Sequence, residues 1–146
     1  MIHISNLPLP PTTNHAYVAM RGGGRRLSDE GRAYKAQVRI RLQARHRKEM
    51  ASLQTDVAYG MRICLYMSNL RNAGYPKSAK NRYKTVDVSN RIKLLEDAFA
   101  EAGGFDDSQI FSLTVEKVES DQEYCEIYLW EIPPKPSEPH APTASQ

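Results

Sequence analysis

No stretch of this sequence is both long and hydrophobic. Its longest apolar patches, such as residues 63–67, are the length of a strand, whereas a helix that crosses a membrane needs about 20 apolar residues. The N-terminus also lacks the charged, apolar and small-residue segments of a signal peptide. We therefore expect a cytoplasmic protein that is not embedded in a membrane.

Cysteine is scarce as well, since only Cys64 and Cys125 occur. Each lies in an alternating, strand-like pattern without a second cysteine or a histidine at metal-site spacing, so we expect two reduced thiols and neither a disulfide nor a zinc site. The sequence also lacks a phosphate-binding glycine loop, a dinucleotide-binding fingerprint and a nucleophilic triad. The enzyme classes that depend on these motifs are therefore excluded.

Basic residues are plentiful and unevenly distributed, although the formal net charge is only +3. No acid interrupts the basic run over residues 32–48, and a second acid-free segment contains Arg71, Lys77, Lys80, Arg82 and Lys84. The acids concentrate between Asp87 and Asp107 and in the last third of the chain. This segregation is typical of a protein that holds a polyanion with one surface and a cation with another.

The N-terminal region predicts a strand followed by a hairpin. Prolines end the strand over residues 3–9, because proline cannot continue a central strand. Residues 15–20 and 25–27 flank Gly22, Gly23 and Gly24, which supply the turn of a hairpin with a basic tip.

A long helix follows over roughly residues 29–50. Ser28 is its expected N-cap, with acids in the first turn where the helix dipole favours them. Its narrow apolar face is expected to contain Ala33, Ala36 or Gln37, Ile40 and Ala44, with arginines over most of the remainder.

The C-terminal half predicts three strands and a second helix. Residues 57–65 alternate as a half-buried strand, and residues 111–115 and 125–129 alternate as the two strands of a hairpin. Before this hairpin, a long basic loop at 68–85 leads to a helix at 89–102. The buried stripe of that helix is Ile92, Leu95, Phe99 and Ala102, widened by Leu94 and Ala98, and Gly103-Gly104 ends it.

These elements predict an α+β fold with a small mixed sheet and two main helices in one domain over residues 1–130. The segment 131–146 is rich in proline, serine and alanine and has no apolar periodicity. We expect it to be a disordered tail.

The acids around the second helix form a candidate site. Asp87 precedes the helix, Lys93 lies within it, and Asp106 and Asp107 follow it. Mg²⁺ prefers carboxylate oxygens and water, and a lysine beside them stabilises charge on a phosphate. Spacing alone, however, is better explained by a solvated surface helix followed by an acidic loop.

Several motifs that occur in order along the chain favour the functional interpretation of these residues over the solvated helix. They are LPLPPTTNH at residues 7–15, LSDEGRAY at 27–34, DVSNRIK at 87–93, DAF at 97–99 and AGGFDDSQI at 102–110. Together they make residues 1–130 resemble the RusA family of Holliday-junction resolvases. The resemblance implies a homodimer that binds four-way DNA junctions and makes paired nicks with Mg²⁺ or Mn²⁺. It also implies that Asp87 and Asp107 are metal ligands and that Lys93 is the basic residue at the scissile phosphate.

One position departs from the family's Asp-x-Asp-Asn motif, because Ser89 replaces the second acid. Serine is a weaker metal ligand than aspartate, so Asp106, Asp97 or Glu96 would have to substitute for it, or Ser89 would have to hold a coordinated water. We favour the interpretation that Ser89 is the N-cap of the helix. The alternative function is a junction-binding protein with weakened or lost nuclease activity.

The expected DNA contacts are cations that can reach phosphates. The residues assigned to DNA binding are Arg71, Lys77, Lys80, Arg82, Lys84, Asn14, Arg25 and Arg26. Asn14 could equally cap its own turn, and the basic helix could be an ordinary solvated face. A third hypothesis is an accessory domain that contacts protein partners through its proline-rich tail.

Overall fold

The computed structural model describes residues 1–136, apart from the side chain of Asn90. A mixed four-stranded sheet has the strand order β1-β6-β4-β5, and β2 and β3 form a separate hairpin. The elements in chain order are β1 (Ile2–Leu7), α1 (Thr13–Ala16), β2 (Tyr17–Ala19), β3 (Arg25–Leu27), α2 (Asp29–Arg45), α3 (Arg47–Ala51), β4 (Ala58–Met67), α4 (Ser89–Gly103), a 3₁₀ turn (Asp107–Gln109), β5 (Ile110–Glu119) and β6 (Tyr124–Ile132). The α+β class, the small mixed sheet and the two main helices are thus confirmed. No helix in the described part of the chain is long and apolar enough to cross a membrane.

The expected pairing of the last two strands is wrong. β5 and β6 are not neighbours, because β4 lies between them, parallel to β5 and antiparallel to β6. The short link from β5 to β6 passes the end of β4, where the Ser120 N–H donates to the Met67 carbonyl at 2.9 Å. Period-two alternation identifies a strand but does not say which strand lies beside it.

Strand β4 is more buried than expected, because it lies in the centre of the sheet. Met61, Ile63 and Leu65 are buried on the face covered by the helices, as expected, but Gly60 and Cys64 on the other face are buried too. The Trp130 indole lies so close to Gly60 that a Cβ there would come within 2.2 Å of the ring. A side chain at that position would therefore displace Trp130.

Helix α2 begins where the sequence predicts, since the Ser28 side chain accepts a hydrogen bond from the Gly31 N–H. It ends at Arg45, and α3 resumes after His46. Its expected apolar face is wrong, because Ile40 is 61% exposed and Ala33 and Ala44 are also exposed. The buried positions of the helix are Gly31, Tyr34, Val38 and Leu42. Tyr34, Val38 and Leu42 lie at four-residue spacing and bury more area than alanines do, and the Tyr34 hydroxyl donates to the Pro8 carbonyl.

Helix α4 confirms most of the predicted stripe, although Ile92 and Ala102 are only half-buried. Leu95 and Phe99 are fully buried, and Gly104 ends the helix in the left-handed conformation with φ 67°. At the C-terminus, β6 extends to Ile132, two residues beyond the expected domain boundary. Most of the expected disordered tail, residues 137–146, lies outside the described residues.

Candidate active site

Asp87 and Ser89 meet at the start of α4. Asp87 Oδ1 accepts hydrogen bonds from the Ser89 backbone N–H at 2.9 Å and from the Ser89 hydroxyl at 2.6 Å. The expectation that Ser89 caps the helix is therefore wrong: Val88 occupies the N-cap position with helical backbone angles, and its side chain makes no capping bond. Asp87 satisfies the first N–H instead, because its carboxylate lies two residues before the donor.

The segment that carries Asp87 is tied to the edge of the sheet. Lys117 on β5 donates from Nζ to the Val86 carbonyl at 3.3 Å. This contact holds the backbone just before Asp87 against β5, so the start of α4 has a fixed position relative to the strand that follows Asp107.

Lys93 lies one turn further along α4 and forms an ion pair with Asp97, with 3.7 Å between Nζ and Oδ2. The Tyr17 hydroxyl donates to the same Oδ2 at 3.3 Å. Burial and the charge of Asp97 raise the pKa of Tyr17, which keeps its hydroxyl protonated as a donor. Asp97 thus connects the base of the β2–β3 hairpin to Lys93.

The chain doubles back after Gly104, which brings Asp107 alongside the middle of α4. Burial raises the pKa of Glu96, and the negative charges of Asp97 and Asp107 raise it further, while Lys93 opposes them. Like charges near a carboxyl group favour its neutral form, so Glu96 lies in negatively charged surroundings. Asp107 therefore adds its charge to the side of α4 that carries Glu96 and Asp97.

Asp106 has a local structural role. Its side chain caps the 3₁₀ turn by accepting from the Ser108 N–H at 2.8 Å, and its own N–H donates to Gln109 Oε1 at 3.0 Å. The hydrogen bonds from Ser108 lower the pKa of Asp106. This capping box fixes the backbone around Asp107.

The donors around α4 suit a hard divalent cation, because they are carboxylate and hydroxyl oxygens. Among residues 1–136, however, no three His, Cys, Asp or Glu side chains are grouped closely enough to hold a metal ion. Asp87 and Asp107 are only two carboxylates, and Ser89 stands where a third would be. The residues fit Mg²⁺ or Mn²⁺ by chemistry, and the assignment of ligands stays a prediction.

The expected long basic loop is confirmed, and it folds back on itself as residues 70–84, here called the basic finger. Arg71 and Tyr83 form an isolated antiparallel bridge. All five cations assigned to DNA binding in this loop are exposed: Arg71, Lys77, Lys80, Arg82 and Lys84. The finger leads into Asp87 after only two residues, so the most basic loop and the candidate site adjoin.

The other residues assigned to DNA binding lie near the β2–β3 hairpin. Asn14 is exposed in α1, and Arg25 and Arg26 are exposed on β3. The hairpin contacts α4 through the hydrogen bond from Tyr17 to Asp97. Sequence reasoning missed Tyr17, because it lies 80 residues from Asp97 and no local pattern connects the two.

Comparison with known proteins bears on all of these residues. No match is found among curated proteins. The family model of endodeoxyribonuclease RusA matches residues 8–129, a span that begins just after β1 and includes the basic finger, α4 and both aspartates after it. The chain therefore belongs to the RusA family of endodeoxyribonucleases, and membership of this family implies Holliday-junction resolvase activity.

Proposed function

We propose that this protein is a divalent-metal-dependent endonuclease that resolves four-way DNA junctions by paired phosphodiester nicks. The observation that carries the proposal is the direct succession of a cationic finger and an acidic site along one stretch of chain. The finger supplies charge for DNA phosphates, and the acids around α4 supply oxygens for a cation. These two surfaces are what metal-dependent cleavage of DNA requires.

Asp87 and Asp107 are the proposed metal ligands, with Asp106 and Ser89 in support. Mg²⁺ or Mn²⁺ bound there would polarise the scissile phosphate and lower the pKa of a bound water. Ser89 orients Asp87 through its N–H and hydroxyl, and the capping box of Asp106 fixes the backbone at Asp107. Both proposed ligands are thus held in place by neighbouring residues.

Lys93 is the proposed contact to the scissile phosphate. Its ammonium group stabilises negative charge that develops on the phosphate oxygens. Asp97 directs Lys93 through the ion pair, and Tyr17 holds Asp97 in turn. The DNA arms would lie along the exposed cations of the finger and of β3, whose phosphate contacts place the strand without reading its sequence.

Paired nicks need two active sites, so we propose a homodimer. Support comes from β5, an edge strand whose first six residues carry no charge. Phe111 is 72% exposed and Leu113 is 39% exposed on it. An uncharged edge strand with exposed apolar residues favours pairing with another chain. A second copy would pair with it symmetrically.

A second candidate function is junction binding with weakened or lost nuclease activity. Ser89 favours it, together with the lack of a three-carboxylate group among residues 1–136. With this function, the basic surfaces would still hold the junction, but the cation would bind too weakly to support hydrolysis.

A nicking assay separates the two functions. The purified protein is mixed with a synthetic four-way junction in Mg²⁺ or Mn²⁺, and with a linear duplex of the same sequence as the control. The nuclease proposal requires symmetrical nicks in the junction that disappear in EDTA. Binding without nicking in either metal would overturn it and support the second candidate.

We also propose that residues 1–130 form the nuclease domain and that residues 131–146 are a tail without a catalytic role. Removing residues 133–146, which lie beyond β6, tests this division. The truncated protein should nick the junction at the rate of the full chain.

A further inference from the structure

The basic finger is held at its base by backbone contacts. The Asn72 N–H donates to the Arg82 carbonyl and the Lys84 N–H donates to the Leu70 carbonyl, both at 2.9 Å. Leu70 is buried in the core, and Arg71 forms an ion pair with Glu119 at the end of β5, at 3.2 Å. The finger is therefore an ordered projection anchored to the sheet.

Two tyrosines lie on this projection, each beside an arginine. The Arg71 guanidinium lies 5.9 Å from the centroid of the Tyr83 ring, and the Arg82 guanidinium lies 5.3 Å from that of Tyr75. Tyr83 is nevertheless 54% exposed and Tyr75 39% exposed. Each ring thus has a cation against it and a large area open to solvent, where a partner can contact it.

The charge of the finger identifies the kind of partner. Five cations and no acid occur between residues 68 and 86, so the partner is a polyanion. Exposed aromatic rings interleaved with cations are suited to nucleic acid whose bases are accessible, because the cations contact phosphates and the rings stack on bases. Bases inside a continuous duplex are already stacked on one another, whereas those at a branch point can be unstacked.

We infer that Tyr75 and Tyr83 stack on bases exposed at the branch point, and that the finger thereby distinguishes branched from linear DNA. The inference rests on the proposed junction nuclease and adds the element that recognises the branch. The arginines hold the rings in place, and Arg82 neutralises the phosphates next to the stacked bases. The remaining finger lysines contribute to affinity for any DNA.

Binding measurements in EDTA, where no cleavage occurs, test this division of roles. The variants are Tyr75→Leu, Tyr83→Leu and the matched Tyr75→Phe and Tyr83→Phe, which keep the rings. Each leucine variant should bind the four-way junction roughly tenfold more weakly, with less than about a twofold change on linear duplex. The phenylalanine variants should bind like the natural protein.

Lys84→Ala is the charge control. It should weaken binding to the junction and to the duplex by the same factor and reduce the salt dependence of both, by a slope of about 0.9. If the leucine variants also weaken both DNAs equally, or if the phenylalanine variants lose junction affinity, the rings do not recognise the branch and the inference is overturned.

A crosslinking experiment with the natural protein avoids any effect of the variants on folding. One junction carries 5-iodouracil at the branch point, and a second junction carries it in the middle of one arm. Each junction is bound to the protein and irradiated. Crosslinks to Tyr75 or Tyr83 only from the branch point support the inference, and crosslinks elsewhere in the protein alone contradict it. A protein that nicks junctions without these crosslinks retains the proposed function and loses only this inference. A protein that binds junction and duplex equally refutes the inference whether or not it nicks.

Discussion

The Ser89 hydroxyl donates to Asp87 Oδ1 at 2.6 Å. The residue that departs from the family's acidic motif therefore contacts the aspartate that precedes α4 instead of standing apart as a helix cap. Its hydroxyl is a neutral neighbour for Asp87, whereas a carboxylate at the same position would be a second negative charge.

Replacing Ser89 with aspartate should strengthen metal binding. The added carboxylate supplies a charged oxygen beside Asp87, and we expect the affinity for Mn²⁺ to rise roughly tenfold, or about 1.4 kcal/mol. Titration calorimetry with Mn²⁺ measures it. In EDTA the same variant should be less stable than the natural protein, because two carboxylates then repel each other without a cation.

Ser89→Ala is the control for that variant, since it removes the hydroxyl without adding charge. It should not raise the affinity for Mn²⁺. An affinity for Ser89→Asp no higher than that of the natural protein would mean that position 89 does not face the metal.

Tyr17→Phe tests the connection from Tyr17 through Asp97 to Lys93. The variant removes only the hydrogen bond at 3.3 Å, so we expect a roughly fivefold fall in kcat, which corresponds to about 1 kcal/mol, with KM unchanged. Thermal unfolding should show a loss of no more than about 1 kcal/mol. Steady-state kinetics on a junction substrate provide the measurement.

Tyr128→Phe is a matched control, because it removes a hydroxyl that donates to Glu126 on the sheet, away from α4. The positioning role of Tyr17 is wrong if both variants lower kcat equally, or if Tyr17→Phe changes KM alone.

The strands and α4 could be predicted from alternation and helical periodicity, because both signals are local. The order of the strands could not be predicted in this way, because it depends on contacts between distant residues. The contact between Ser120 and Met67 forms only when β5 lies beside β4 on the side opposite β6. The buried face of α2 was misassigned because Ile40 and the alanines form a weak stripe that competes with the one containing Val38. At the site, spacing makes the aspartates candidates and the resemblance implies their roles, whereas the contact between Tyr17 and Asp97 depends on tertiary packing alone.

The ion pair between Lys35 and Glu101 joins α2 to α4 and should make stability depend on pH. The hydrogen bond and the charge of Lys35 lower the pKa of Glu101 below its ordinary value. An acid with a lowered folded-state pKa stabilises the fold above its unfolded-state pKa, and that contribution is lost as the pH falls through the folded-state value. Because Glu101 is exposed, we expect well under about 1 kcal/mol.

A double-mutant cycle of Lys35→Gln and Glu101→Gln measures this coupling. The coupling free energy should be present at pH 7 and absent below the folded-state pKa of Glu101. A coupling that is the same at both pH values would contradict the ionic origin of the contact.

Leu113→Lys should weaken the proposed homodimer. A lysine buried at an interface through the β5 edge would cost at least about 2 kcal/mol, or roughly a thirtyfold increase in the dimer dissociation constant. Light scattering after size exclusion measures the mass, and the chain itself is 16.5 kDa.

Ile40→Lys is the matched control, because Ile40 is also an exposed aliphatic residue but lies on α2. It should leave the mass unchanged. If the natural protein has the mass of one chain at all concentrations tested, the dimer proposal fails, and if both variants dissociate it equally, β5 is not the interface.

Asp87 is proposed to support cleavage and not to hold the DNA. The most direct test compares the natural protein with Asp87→Asn on a labelled four-way junction, with nicking followed in Mg²⁺ and binding followed in EDTA. We expect Asp87→Asn to lose nicking by a factor of roughly a thousand, or about 4 kcal/mol, and to bind the junction with unchanged affinity. Full nicking by Asp87→Asn would contradict the assignment of the active site to the start of α4.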